Sequence, residues 1–233
     1  MAEVTKIDPE KKIIESNIGE LTYDYLVIAT GSRTNFFGND SIEKNGMWMK
    51  TVQHGLNIRS LIVENVEQAG ITKDAKERKR LLNFVIAGAD PTGVELSGAI
   101  AELRNHIVSK DYPDLDPSEM EIHLVEGMDR VLPPMSEKSS RKAAKFLEEL
   151  GVQIHLNTQV KSYDGDLVLT NTSKNFETHT FIWSAGVTGA PVQGLNASAL
   201  IEKANRYEVN SFNKINGYDT IFAIGDIAVM QSE

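Results

Sequence analysis

Phe84-Val85-Ile86-Ala87-Gly88-Ala89-Asp90-Pro91-Thr92-Gly93-Val94-Glu95 is the stretch on which the fold turns. The apolar run 84–87 reads as a strand, stopped by Gly88. A helix is predicted from about Thr92 to Ile107, with Val94, Leu96, Ile100, Leu103 and Ile107 on one face. Between them, Gly88-Ala89-Asp90-Pro91-Thr92-Gly93 has the setting of a dinucleotide-binding turn, G-x-G-x-x-G between a strand and a helix. The first glycine permits the tight turn, and the last lets helix and strand pack closely. The helix opening offers unpaired N–H groups and the positive end of a dipole to a diphosphate. Pro91 suits the first helical turn, where its missing N–H costs nothing.

One position departs from the pattern. Asp90 stands where the middle glycine would let backbone approach a diphosphate. A side chain there crowds the ligand, and an ionised carboxylate repels it. The expectation is a turn that keeps its fold but binds NAD(H) less tightly. The alternative is a carboxylate that turns away and caps the helix.

Outward from the turn, Glu121-Ile122-His123-Leu124-Val125-Glu126 is the next strand. Glu126 ends it, 38 residues after Gly88. An acid at that place can accept from both ribose hydroxyls of an adenosine and disfavours a 2′-phosphate. The spacing exceeds the usual ~20 residues; the long helix and the loop 111–119 account for the excess. Ser136 is expected to cap a helix running to Leu150, with Gly151 just past its end. Strands are predicted at 152–156 and 180–183, the latter ending in Ser184-Ala185-Gly186. On the N-terminal side, 51–68 reads as a helix whose face carries Ile58, Leu61, Ile62 and Val66. Residues 70–80, five of them basic, read as a solvated loop or helix end. Tyr25–Ala29 reads as a buried strand ending at Thr30-Gly31, and Thr220–Ile224 as a strand stopped by Gly225-Asp226. Strand, helix, strand, helix, strand across 84–156 predicts an α/β fold with a parallel, doubly wound sheet.

Composition narrows the functions. The chain has 233 residues, 41% hydrophobic and 24% charged, close to an ordinary soluble protein. A net charge of −9 argues against a general nucleic-acid surface. There are no cysteines, which removes disulfide frameworks, thiolate metal sites, thiol nucleophiles and redox-active pairs. The five histidines, His54, His106, His123, His155 and His179, show no metal spacing and read as surface or strand residues. Trp48 and Trp183 read as packing. No apolar run approaches the ~18 residues of a membrane helix, and the acidic start is no signal peptide. The expectation is a cytoplasmic α/β protein with no anchor in this chain.

Several segments together resemble the pyridine-nucleotide flavoprotein oxidoreductases, most closely the type II, single-subunit NADH dehydrogenases. They are Tyr23–Ser32; Asn35-Phe36-Phe37-Gly38-Asn39; Pro91–Leu96; Leu124–Glu126 through Arg130-Val131-Leu132-Pro133; Ile182–Val187; and Phe222–Asp226, in the order found in that family. The resemblance implies a Rossmann-like NAD(H)-binding domain at 46–189, flanked by partial FAD-domain segments at 1–45 and 190–233. FAD-binding roles are implied for Thr30, Gly31, Gly225 and Asp226. Ala185 and Gly186 are implied at the approach of the nicotinamide, and Glu95 in proton or quinone handling. From spacing alone, Glu95 reads equally as a carboxylate stabilised near a helix N-terminus. The implied reaction is hydride transfer from NADH to FAD and on to a quinone, in a protein peripheral on the cytoplasmic face of the inner membrane. The chain resembles an internal piece of such a protein, with an incomplete FAD site and no turnover of its own. Two other readings are an NADH oxidase or ferredoxin- or rubredoxin-type flavin reductase, and a non-catalytic module with a degenerate nucleotide turn.

Overall fold

Asn83–Ala87 buries all five of its residues, as a strand must when both faces of its sheet are covered. The computed structural model describes residues 2–230, and these divide into two compact units. One is Asn35–Gly186; the other joins the described residues up to Thr34 with those from Val187 onward.

In the first unit we label α1 (Asp40–Asn45), β1 (Met47–Trp48), α2 (Val52–Ile71), α3 (Ala75–Leu81), β2 (Asn83–Ala87), α4 (Pro91–Leu103), β3 (Glu121–Val125), α5 (Glu137–Glu149), β4 (Gln153–His155), β5 (Val160–Tyr163), β6 (Leu167–Thr170), β7 (Phe176–Glu177) and β8 (Thr180–Trp183). A parallel five-stranded sheet runs in the order β1-β8-β2-β3-β4. Side chains alternate across it. Phe84 and Ile86 join Ile122, Leu124 and Ile182 in a core shared with Ile58, Ile62, Ile100 and Leu147 of the helices. Val85, Ala87, Val125 and Trp183 face the other way, onto Val160, Tyr163, Val168 and Phe176. Each fully buried side chain of this size contributes about 1.5–3 kcal/mol.

The parallel sheet is as expected, but it is not doubly wound. The antiparallel sheet β5-β6-β7 covers its second face, together with Ile42 of α1. The unit also begins at Asn35, ahead of the boundary expected at residue 46. Trp183 Nε1 donates to Asn35 O at 2.9 Å and Asn39 Nδ2 to Lys161 O at 2.6 Å, so Asn35–Asn45 pack with it.

Two further expectations are corrected. The helix predicted to Ile107 is α-helical only to Leu103; a π-helical turn follows at Arg104–Val108. The wider turn rotates the face, so Ile107 is 48% exposed while Val108 is buried. The charged stretch 70–80 contains α3, capped by Asp74, whose side chain accepts from the Lys76 and Glu77 amides. Its Arg78 pairs with Glu119 and its Arg80 with Glu177. Ser136 caps α5 by accepting from Ser139 N, and Gly151 takes φ +83°, both as expected.

The second unit is built from short strands. Val4–Asp8, Ile13–Ser16 and Gly19–Thr22 form an antiparallel sheet. Leu26–Ile28 pairs in parallel with Ile221–Ala223, and Ser32–Thr34 in antiparallel with Val187–Gly189. Ile7, Ile28, Tyr207, Val209, Ile215, Ile221 and Ile227 fill its core. The strand at 25–29 is shorter than expected and only half covered: Ile28 is buried, while Tyr25 is 73% exposed. Its pair packs one face against the core, so its residues alternate between inside and outside.

Candidate functional site

The strand-to-helix turn forms as the sequence predicts. Gly88 has φ +106°, and a Cβ there would lie 2.6 Å from Ala185 N. A Cβ on Gly93 would lie 1.8 Å from Gly88 O. The two glycines therefore let α4 start directly against β2 and the end of β8. Ser184 holds this junction, its hydroxyl 3.0 Å from Ala87 O and 2.9 Å from Gly88 O.

Asp90 caps the helix, as its second reading expects, but its carboxylate stays at the turn rather than turning away. It takes extended backbone, φ −70° and ψ 175°, and its side chain accepts from Gly93 N at 2.8 Å as the N-cap of α4. A glycine is not needed for that conformation. Burial pushes the Asp90 carboxyl above its ordinary value; the Gly93 amide and the Ser184 hydroxyl pull it down, and the nearby Glu126 charge adds to the rise.

Glu126 comes to the mouth of the same turn. Its carboxylate accepts from Ala89 N at 2.6 Å and from Met128 N at 2.8 Å. Gly88 N donates to Val125 O. Two acids thus occupy the amides of Ala89 and Gly93. A carboxylate has about four lone-pair sites, so Glu126 retains acceptor capacity beyond these two bonds.

These residues line a cleft of about 600 Å³ at the C-terminal ends of the parallel strands, a volume within the range of small-molecule sites. Gly88, Asp90, Glu126, Ala185 and Gly186 reach it. So do residues to which the sequence assigned no ligand role, including Trp183, expected to serve packing alone. Met128, Pro133 and Pro134 line the Glu126 end, and Phe37 and Trp183 the Gly186 end. Pro91 and Thr92 open α4 beside it. Glu95, also on α4, is exposed and does not line the cleft. The sheet order explains the convergence: the turn after β2 lies between the ends of β3 and β8, where ligands of open α/β sheets sit.

The histidines lie elsewhere. His123, expected at a surface or strand, is buried on β3, its Nδ1 3.1 Å from His155 Nε2 of β4. Both rings lie about 5 Å from the Phe176 ring. Burial first, then the neighbouring His155 and Lys174, pushes His123 down to about 3; burial, then Lys174, pushes His155 to about 4. Two neutral rings share that hydrogen bond. No group that could hold a metal ion occurs among the described residues.

In the other unit, the ends of two neighbouring parallel strands carry the residues implied for FAD. Thr30 and Gly31 follow Leu26–Ile28; Gly225 and Asp226 follow Ile221–Ala223. Ser32 Oγ donates to Asp226 Oδ2 at 2.7 Å. Gly31 and Gly225 have φ +67° and +73°, with open space where a Cβ would stand. This edge suits the hydroxyl-bearing part of a flavin nucleotide. Among its described residues the unit has no α-helix and hence no helix opening for the FAD diphosphate, so the group fits only in part. No helix of the described residues is long and apolar enough to cross a membrane.

Comparison with known proteins agrees with this architecture. The family profile of the pyridine nucleotide-disulphide oxidoreductases matches residues 1–233. A type II NADH:quinone oxidoreductase, Ndh of Mycobacterium tuberculosis, is 32% identical over 242 residues, covering 99% of this chain and 52% of that protein. An external alternative NADH-ubiquinone oxidoreductase of Yarrowia lipolytica mitochondria is 30% identical over 247 residues, covering 97% of this chain and 42% of that protein. Among solved structures, that of NDH2 from Plasmodium falciparum in complex with NADH superposes with a TM-score of 0.87 at 25% identity, covering 100% of this chain and 50% of that one. The chain spans about half the length of the curated relatives it matches.

Proposed function

This chain belongs to the pyridine nucleotide-disulphide oxidoreductase family, and from that premise we propose that Asn35–Gly186 is the NADH-binding unit of a type II NADH:quinone oxidoreductase. One observation carries the reading: the Gly88–Gly93 turn and the Glu126 carboxylate meet in a single cleft at the ends of parallel strands. A diphosphate lies over the opening of α4, the adenosine ribose hydroxyls donate to Glu126, and the nicotinamide reaches Ala185 and Gly186 at the end of β8. The residues of this chain bind the dinucleotide, orient its ring and shield it from water.

The segments at 1–45 and 190–233 are proposed as parts of the FAD-binding domain, with Thr30, Gly31, Gly225 and Asp226 toward the flavin. In the whole protein a flavin supplies the hydride acceptor, and that redox chemistry belongs to the cofactor. A quinone is the proposed final acceptor, Glu95 the proposed proton-handling residue, and a membrane surface on its cytoplasmic side the proposed location. The relatives named as NADH:quinone and NADH-ubiquinone oxidoreductases support this reading.

The test is a fluorescence titration of this chain with NADH and NADPH. A 2′-phosphate about 6 Å from Glu126 meets roughly 3 kcal/mol of repulsion at an effective dielectric near 20, before screening. NADH is expected to bind at least about tenfold tighter, and Glu126→Gln to erase most of the difference. Equal or tighter NADPH binding refutes the Glu126 assignment. No binding of either at millimolar concentration favours a non-catalytic module, a reading that Asp90 and Glu126 support by occupying the amides of the turn.

A further inference from the structure

We propose that Phe37 is the aromatic wall of the nicotinamide subsite, its ring placed to stack on the nicotinamide of NADH. This deepens the reading of the cleft as a dinucleotide site and rests on it.

The argument starts from the strand order. The turn after β2 lies between the end of β3, with Glu126, and the end of β8, with Ala185 and Gly186. A dinucleotide with its diphosphate over the turn and its adenosine ribose at Glu126 carries its second base to β8. There the lining is aromatic, with Phe37 and Trp183.

Phe37 is held there by its backbone, while its ring is left free of the core. Its φ is +52°, and Gly38 follows at +73°. A left-handed backbone is an outlier for a bulky aromatic residue, and such strain persists only where the surroundings over-determine it. They do so here. Phe37 N donates to Asn35 Oδ1 at 2.8 Å. Asn35 N donates to Gly186 O at 3.2 Å, and Asn39 N to Phe36 O at 3.0 Å. Trp183 Nε1 donates to Asn35 O at 2.9 Å. The loop is therefore tethered to the end of β8 through Asn35, just before Phe37, and closed on itself after it by the Asn39–Phe36 bond.

Phe37 is 68% exposed. Its ring stands edge-on to Trp183, with centroids 6.3 Å apart at 71°. Gly186 makes room for it: a Cβ there would lie 2.7 Å from Phe37 Cζ. The preceding residue behaves as a packing residue does. Phe36 is half-buried and stands edge-on to Trp48 at 5.2 Å. Two adjacent phenylalanines thus divide the tasks of filling the interior and facing the cleft. A flat, neutral, conjugated ring such as the dihydronicotinamide of NADH is the ligand chemistry that an exposed, pre-positioned phenyl face recognises.

The experiment compares the chain with Phe37→Ala and Phe37→Leu, titrated by calorimetry with NADH and with ADP-ribose, which carries the same adenosine diphosphate without nicotinamide. Phe37→Ala is expected to weaken NADH by about threefold to tenfold, the range of a lost aromatic stack, and to leave ADP-ribose within about twofold. Phe37→Leu, which keeps bulk without the aromatic face, should fall between; it also carries the test if Phe37→Ala lowers the unfolding midpoint. Unchanged NADH binding overturns the inference, and so does an equal loss for both ligands. If the unaltered chain binds neither ligand, the dinucleotide reading itself fails and takes the inference with it, a signature distinct from either of those.

Discussion

Replacing Asp90 tests whether a diphosphate comes to this turn at all. The side chain occupies the Gly93 amide at 2.8 Å, and that amide is a donor which a phosphate at a helix opening would use. A diphosphate seated there stands about 5 Å from the carboxylate. At an effective dielectric near 20, two unit charges at that distance repel by roughly 3 kcal/mol. The cleft is open to water and salt, which reduces this by about half, leaving ~1.5 kcal/mol, or about tenfold in affinity. Asp90→Asn separates charge from shape, because asparagine caps a helix as well as aspartate does. It should tighten NADH by about tenfold at physiological ionic strength, by more at low salt, and the gain should shrink as ionic strength rises. Asp90→Gly also frees the amide and should gain at least as much, for a few tenths of a kcal/mol in lost capping. Because burial raises the Asp90 pKa, the unaltered chain should bind NADH more tightly as the pH falls toward that carboxyl's titration. The Asn variant should show no such slope. The assay is NADH fluorescence titration at two salt concentrations and across acidic pH. Affinities within about twofold for all three proteins would refute the reasoning, since the diphosphate would then lie away from α4.

Gly93→Ala should cost about 3 kcal/mol or more, because its Cβ would lie 1.8 Å from Gly88 O; denaturant unfolding would show a large drop, and a near-normal midpoint would contradict the close approach of α4 to the turn. The buried imidazoles of His123 and His155, held down to about 3 and about 4, make stability depend on acid. Below the unfolded value of 6.5 the unfolded chain takes up protons that the folded pair refuses, so stability is full above that pH and falls below it. The loss is up to about 1.4 kcal/mol per pH unit for each ring, ending near the folded values. His123→Phe should flatten the decline between pH 6 and 4 in thermal unfolding; an unchanged slope would mean that other groups carry it.

The parts of this fold legible in the sequence are those set by neighbours along the chain. The strand at 84–87, the glycines of the turn, the Ser136 cap and the Gly151 stop each depend on residues within a few positions, and propensity and periodicity report such positions directly. The acid at the end of the following strand was legible for a related reason, since a βαβ unit brings consecutive strand ends together whatever the length between them. Other features depend on partners that no local pattern names. The histidine pair exists because β3 and β4 align His123 with Gln153 and Val125 with His155, which sets two residues 32 positions apart on one face. Ile107 leaves the predicted helix face because one wide turn shifts every later residue. Asp90 remained ambiguous because both readings use the same turn. The capping geometry shows the carboxylate held at the turn, where Gly93 lies tight against Gly88. Phe37 was quoted in the sequence without a role for the same reason. Its meaning comes from Gly186, nearly 150 residues later, whose missing side chain is what leaves the ring its place at the cleft.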